Sequence, residues 1–295
     1  MRFIKNVPIL IGLCFIILTA FAESKILLNQ GIEYSIEDFP TAIDSLAQVI
    51  QDNPKYDNLI FFIHGHGNHP QKAIKKRVPE LEKDYSAKVI LFHWPTWEKS
   101  KIYPDEEAIQ AGKDLIKIFK DLKKFKEENP ETYKSINPSL LIHSMGNIVF
   151  KTFVETSNRK EFANLFNTIL LNAADVDTEN HHKWVDKISE SDNIYITINN
   201  NDPVLHSSAK AINNKIRLGQ KLKSMFNGEY TLSKKAVYLD LSQTGVLHKY
   251  YMKKKHKGNE SLKYFYEQVL NGEKVKLTEK HGIHKVEGKP VYFIK

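Results

Sequence analysis

Short apolar runs alternate with longer amphipathic stretches along most of this chain, and that alternation restricts its fold more than any other feature. Residues 59–64, 88–93, 139–143, 168–172, 193–198 and 236–241 are brief and mostly apolar, the pattern of strands buried on both faces of a sheet. Between them, 71–82, 105–128, 147–156, 180–188 and 207–226 carry helical patterns, and 261–270 reads as a final helix. In 105–128, Leu115, Ile118, Phe119 and Leu122 recur at three- and four-residue spacing and mark one apolar helix face. Strands alternating with helices predict an α/β fold with a mostly parallel sheet. Upstream, 25–28 and 33–36 predict a small hairpin around Gly31, and 41–50 a helix after Pro40. Downstream, 275–277 and 291–294 are β-prone. No linker-like composition interrupts the pattern. The expected organisation is therefore one domain over 23–295, with its core at about 57–270 and a C-terminal extension at 271–295.

The first 22 residues stand apart. Arg2 and Lys5 precede an apolar run of ten residues, 9–18, and Ala20-Phe21-Ala22 follows. This is the plan of a signal peptide cleaved after Ala22, which makes the mature chain secreted or periplasmic. The run falls short of the ~20 residues a membrane span needs. The chain's one cysteine, Cys14, lies in this segment, so the mature chain has no disulfide, no thiol nucleophile and no Cys-based zinc site. Loss of Arg2 and Lys5 lowers the formal charge from +8 to +6. The clusters Lys75-Lys76-Arg77, Lys123-Lys124 and Lys253-Lys254-Lys255 have no interleaved aromatic residues. They read as solvated faces, open to contact with an anionic surface, and not as a nucleic-acid platform.

The segment Leu140-Leu141-Ile142-His143-Ser144-Met145-Gly146-Asn147 carries the chemistry. A buried strand ends at Ser144 and a helix starts at once. A serine on such a turn projects its hydroxyl out of the sheet, with the Met145 N–H aimed at the same spot as an oxyanion donor. Ile142 stands where the Gly-x-Ser-x-Gly pattern has its first glycine, which predicts looser packing at the turn. A second strand, 59–64, runs into His64-Gly65-His66-Gly67. Such turns supply another backbone donor, here assigned to His66, and each donor contributes roughly 3–4 kcal/mol to the transition state.

With these residues the chain resembles the α/β-hydrolase superfamily, and within it a bacterial family with a His-Ser-Met-Gly-Asn nucleophile elbow. The resemblance spans about 59–251. It rests on Phe62, His64 and Gly65, then Trp94-Pro95-Thr96, then Tyr103, Asp105 and Ala108, then His143 to Asn147, Asp175-Val176-Asp177, the strand end at Asp202, and His248-Lys249-Tyr250. It implies a three-layer α/β-hydrolase fold, with helices on both faces of the sheet, and a serine esterase or lipase that needs no cofactor. The order of the triad in this fold is Ser, then acid, then His. Asp202 follows the strand at 193–198 and His248 the strand at 236–241, both at the sheet edge where Ser144 sits. On topology Asp202 is the acid and His248 the base, with Asp175, after the preceding strand, as the alternative acid. The expected substrate is a small-molecule, lipid or polymer ester. The gap between Asp177 and Asn193 is too short for a cap domain, whereas 203–235 is long enough for a small helical lid.

Two other readings compete. His64, His66 and His69 nearly spell the metal-binding run of metallo-β-lactamase-like hydrolases, with Asn68 in place of its carboxylate. A hydrolase scaffold kept as a binding protein would also fit a relaxed elbow. Among the remaining histidines, His143 is expected to be structural and His93 buried. His181, His182, His206, His256, His281 and His284 lie in polar stretches and are expected in solvent.

Overall fold

Each apolar run of the core becomes a strand of one sheet in a computed structural model of the protein, which describes residues 23–53, 55–56, 58–67, 69–96, 104–221 and 231–295. The expected signal peptide, 1–22, lies outside the described residues. The strands are β1 (Lys25–Leu27), β2 (Glu33–Tyr34), β3 (Asn58–Ile63), β4 (Ala87–His93), β5 (Pro138–His143), β6 (Thr168–Asn172), β7 (Ile194–Ile198), β8 (Ala236–Asp240), β9 (Ile283–Lys285) and β10 (Val291–Ile294). Their order across the sheet is β2-β1-β4-β3-β5-β6-β7-β8-β10-β9. From β4 to β10 all neighbours are parallel, while β1, β2 and β9 pair antiparallel at the two margins. Every residue of β3, β5, β6 and β7 is buried, as strands covered on both faces must be.

The helices are α1 (Phe39–Asp52), α2 (Pro70–Lys72), α3 (Val78–Tyr85), α4 (Asp105–Glu128), α5 (Pro130–Ser135), α6 (Gly146–Thr156), α7 (His182–Val185), α8 (Pro203–Ala211) and α9 (Glu260–Leu270). The two faces of the sheet hold two cores. One gathers Phe61, Phe119, Phe153 and Phe166 under α1, α4 and α6, and the other packs Phe62, Leu141, Tyr251 and Phe265 under α3 and α9. Helices on both faces of a mostly parallel sheet make the three-layer α/β-hydrolase architecture.

Several expected elements come out differently. The helix expected over 71–82 is divided by a π-turn, Ala73–Arg77, in which the Val78 N–H reaches the Ala73 carbonyl. The helix expected over 207–226 is α8, which starts earlier because Asp202 caps it and stops before Asn213 and Asn214, both at positive φ; residues 222–226 lie outside the described residues. Of 180–188 only α7 is helical, since Asn180 has φ +57°. The β-prone piece at 275–277 joins no ladder, because the Val275 and Lys276 N–H groups donate to the hydroxyls of Tyr195 and Tyr264. The C-terminal extension instead enters the sheet through β9 and β10.

Candidate active site

Ser144 follows β5 directly and sits at φ +55°, a left-handed conformation that costs a non-glycine residue about 1–3 kcal/mol. The surrounding bonds hold it there. Its N–H donates to the Asn172 carbonyl at 3.0 Å. Its own carbonyl accepts the N–H groups of Asn147 and Asp175 and, at 2.9 Å, the side-chain amide of Asn147. The turn is tightly packed despite Ile142, whose side chain is fully buried in the larger core. The close approaches are made by two glycines instead. A Cβ on Gly65 would lie 2.6 Å from the Ser144 Cβ, and one on Gly146 would lie 2.6 Å from the His64 carbonyl oxygen. The looser packing expected from Ile142 is thus not found.

His248 lies in the loop after β8. Its Nε2 is 3.0 Å from the Ser144 Oγ and its Nδ1 is 2.9 Å from the Asp202 Oδ2. An ionised carboxylate only accepts, so the Nδ1–H donates to Asp202 and Nε2 is left to accept the serine O–H. The Asp202 Oδ1 accepts the N–H groups of Val204 and Leu205 at the start of α8, and the Tyr250 hydroxyl donates to Oδ2. Burial pushes this carboxyl up, but the hydrogen bond and charge of His248, with those of Tyr250 and Leu205, hold it below the usual range.

Asp175 is engaged elsewhere. It forms a buried ion pair with Arg217, Nε to Oδ1 at 2.8 Å, and accepts the Ser208 hydroxyl at 2.7 Å. The stretch after α8 is drawn inward with it. Leu218 and Gly219 donate to the carbonyls of Val176 and Ala174, so 217–219 is fastened to the loop after β6 and is no free lid.

The turn after β3 is held by the Trp94-Pro95-Thr96 segment. The Trp94 indole N–H donates to the His64 carbonyl at 2.7 Å, and the Thr96 hydroxyl accepts the Gly67 N–H at 3.0 Å. The His64 Nδ1 donates to the Gly65 carbonyl, while Nε2 accepts the Trp94 N–H. Burial pushes His64 down to about 4, so this ring is a neutral brace. Met145 is buried and His66 exposed; among the described residues neither backbone N–H has an acceptor. With both ring nitrogens of His64 engaged, and the His69 Nδ1 accepting the Gln71 N–H, the three imidazoles do not converge. Among the described residues no cluster could hold a metal ion, and the zinc arrangement is not formed. Asn68 lies outside the described residues.

Residues 41–255 match the family described as alpha/beta hydrolase of unknown function (DUF900). The chain belongs to that family. Among solved structures, this hydrolase is similar to an esterase of Pyrobaculum calidifontis, with 12% identity over 72% of this chain and 76% of that one and a TM-score of 0.38. It is likewise similar to carboxyl esterase 2 of the fungus Tuber melanosporum, with 13% identity, 73% and 80% coverage and a TM-score of 0.38. A hormone-sensitive lipase from a metagenome library gives 11% identity, 72% and 76% coverage and a TM-score of 0.39. No curated protein sequence matches it.

Several residues of this hydrolase have roles that sequence reasoning missed. Asn147 holds the elbow, Trp94 and Thr96 hold the turn after β3, and Tyr250 serves Asp202. Their places in the motif series were the available signal. His93 is buried as expected, and His143, expected to be structural, is buried too; its ring lies 4.7 Å from that of His248 and forms the wall behind it. Two histidines expected in solvent are buried. His181 accepts the Tyr238 hydroxyl at 2.6 Å, and His256 stacks on Tyr266. A cavity of about 640 Å³ lined by Glu23, Ser24, Ile36, Glu37, Glu106, Gln110 and Asp114 shares no residue with the Ser144 site.

Proposed function

We propose that this hydrolase is a secreted or periplasmic serine hydrolase that cleaves carboxylic ester, thioester or amide bonds through an acyl-Ser144 intermediate. The observation that carries this reading is the hydrogen-bonded relay from Ser144 Oγ through His248 to Asp202, at the sheet edge where α/β folds take their ligands. Ser144 Oγ attacks the substrate carbonyl carbon as His248 Nε2 takes its proton. The oxyanion that forms is received by the N–H groups of Met145 and His66. The bond to the leaving group breaks as His248 returns the proton to it. Water then repeats the sequence on the acyl-enzyme and frees the acid and Ser144. Asp202 keeps the imidazole in the productive tautomer and stabilises its cation.

A fluorophosphonate probe tests this. It should label the wild-type protein at Ser144 and leave Ser144→Ala unlabelled, whereas a scaffold kept for binding alone would show no labelling in either. Export is tested separately: the protein recovered outside the cytoplasm should begin at Glu23, and an intact N-terminus would refute cleavage after Ala22.

A further inference from the structure

Lys249 follows His248 in the chain and is held by its neighbours. The Tyr250 hydroxyl is bound to Asp202, and the Tyr251 carbonyl accepts the Tyr85 hydroxyl at 2.5 Å. The Lys249 side chain is half-buried, and it shares its surroundings with Arg77, Lys72 and Lys76. These three come from the π-turn region beside α3, and π-turns concentrate at functional sites. The carboxylates nearby are taken. Glu80 pairs with Arg77 at 3.2 Å and with Lys254 at 2.5 Å, Glu267 pairs with Lys253 at 2.5 Å, and Asp202 serves His248. Among the described residues, none pairs with Lys249. The exposed cluster on α4 differs, since Lys123 and Lys124 meet Glu127 and Glu128 one turn on. Burial, with the charges of Arg77, Lys72 and Lys76, pushes the Lys249 ammonium down to about 8. Its charge and that of Arg77 also reach His143, which lies against His248. Glu80 is the acidic group set against these four cations, and it is already shared by Arg77 and Lys254, so among the described residues the rim keeps an excess of positive charge.

We propose that the hydrolase selects esters that carry an anionic group, a carboxylate or a phosphate, close to the scissile carbonyl, with Lys249 as the cation that receives it. This specificity rests on the serine-hydrolase reading above. An incoming anion relieves the repulsion among the four cations and meets a lysine that is already partly desolvated.

Two matched substrate pairs test it on the mature protein. One is 4-nitrophenyl pentanoate against mono-4-nitrophenyl glutarate, which differs by a carboxylate on the acyl chain. The other is glyceryl monobutyrate against its 3-phosphate, which differs by a phosphate on the alcohol. In at least one pair the anionic member should show a kcat/KM about tenfold higher or more at low salt, an advantage that shrinks as salt is raised. The responding pair tells an acyl-side carboxylate from an alcohol-side phosphate. Lys249→Gln should bring the ratio to within about twofold of one, whereas Lys249→Arg keeps it. Because the ratio compares two substrates on one protein, partial misfolding of a variant does not mimic the result. Ratios near one for both pairs in an active enzyme overturn the proposal and leave the hydrolase reading intact. Should the wild type hydrolyse nothing, calorimetric titration of Ser144→Ala with the glutarate half-ester and with the neutral ester decides. Tighter binding of the half-ester, lost in Ser144→Ala/Lys249→Gln, supports the anion site while the catalytic reading fails. Equal binding overturns the site.

Discussion

Asp175 follows β6 and Asp202 follows β7, so adjacent strands deliver two carboxylates to the same edge of the sheet, and both are buried. Their partners separate them. Asp175 meets the guanidinium of Arg217, which only donates hydrogen bonds and carries a fixed charge, together with the Ser208 hydroxyl. Asp202 meets an imidazole, which can both take up and give up a proton, and that imidazole touches a serine hydroxyl. Strand-end position and burial are common to both. What differs is whether the partner can change charge and whether it hands on to a nucleophile. The first carboxylate anchors a loop, and the second can orient a base.

The contrast predicts opposite phenotypes for the same substitution. Asp202→Asn removes the acceptor that fixes the His248 tautomer, and kcat should fall about 10³–10⁴-fold on any ester the protein turns over. Asp175→Asn strands a buried guanidinium and should lower stability by about 3–5 kcal/mol, measured as a drop in urea midpoint, while the folded fraction keeps kcat within about tenfold. If Asp175→Asn abolished turnover in fully folded protein and Asp202→Asn did not, the two roles would have to be exchanged.

The same two residues show how far the sequence can be read. Their strand-end positions were legible, because strands buried on both faces leave continuous apolar runs that no surface pattern interrupts. The choice between them followed from triad order alone. Arg217, which occupies Asp175, lies 42 positions away in a stretch that reads as helix or lid, and nothing local marks it as a partner. His181 and His256 were misplaced for a similar reason: polar neighbours in sequence suggest solvent, while the partner that permits burial, Tyr238 for His181, comes 57 positions later. Val275 has the composition of a strand, yet its N–H goes to a tyrosine hydroxyl. These failures fall where side chains, not backbone ladders, satisfy polar groups.

Acid titration sharpens the comparison by separating carboxylates from histidines. Burial pushes His64 and His181 down to about 4 and His93 to about 2, against about 6.5 in an unfolded chain. Between pH 6.5 and 4 the unfolded chain binds protons that the folded chain refuses. Stability is therefore full above pH 6.5 and falls as pH drops towards 4, by at most about 3 kcal/mol for a histidine such as His64. Asp202, held below its ordinary range, stays ionised across this window and contributes no loss there. Urea midpoints at pH 7.5, 6, 5 and 4.5 should decline steadily, and the slope should be shallower in His181→Gln. A midpoint constant down to pH 4.5 would contradict neutral burial of these rings.

The smallest change tests what keeps Asp202 ionised. Tyr250→Phe removes one hydroxyl donor from Oδ2 and leaves His248 as the remaining side-chain donor to that oxygen. Loss of one hydrogen bond to a charged group costs about 1.5 kcal/mol, so kcat should fall roughly tenfold, far less than in Asp202→Asn. The direction with pH follows from burial. With one donor gone, desolvation is less opposed and the carboxyl moves up. The stability that the ionised form supplies is present above its unfolded pKa and lost as pH falls through the folded one, and that loss should begin at a higher pH in the variant. Activity should fail earlier on the acid side as well. If kcat and the acid limb were both unchanged, Tyr250 would be a packing residue that happens to touch Asp202. The imidazole and the start of α8 would then be enough to hold the carboxylate.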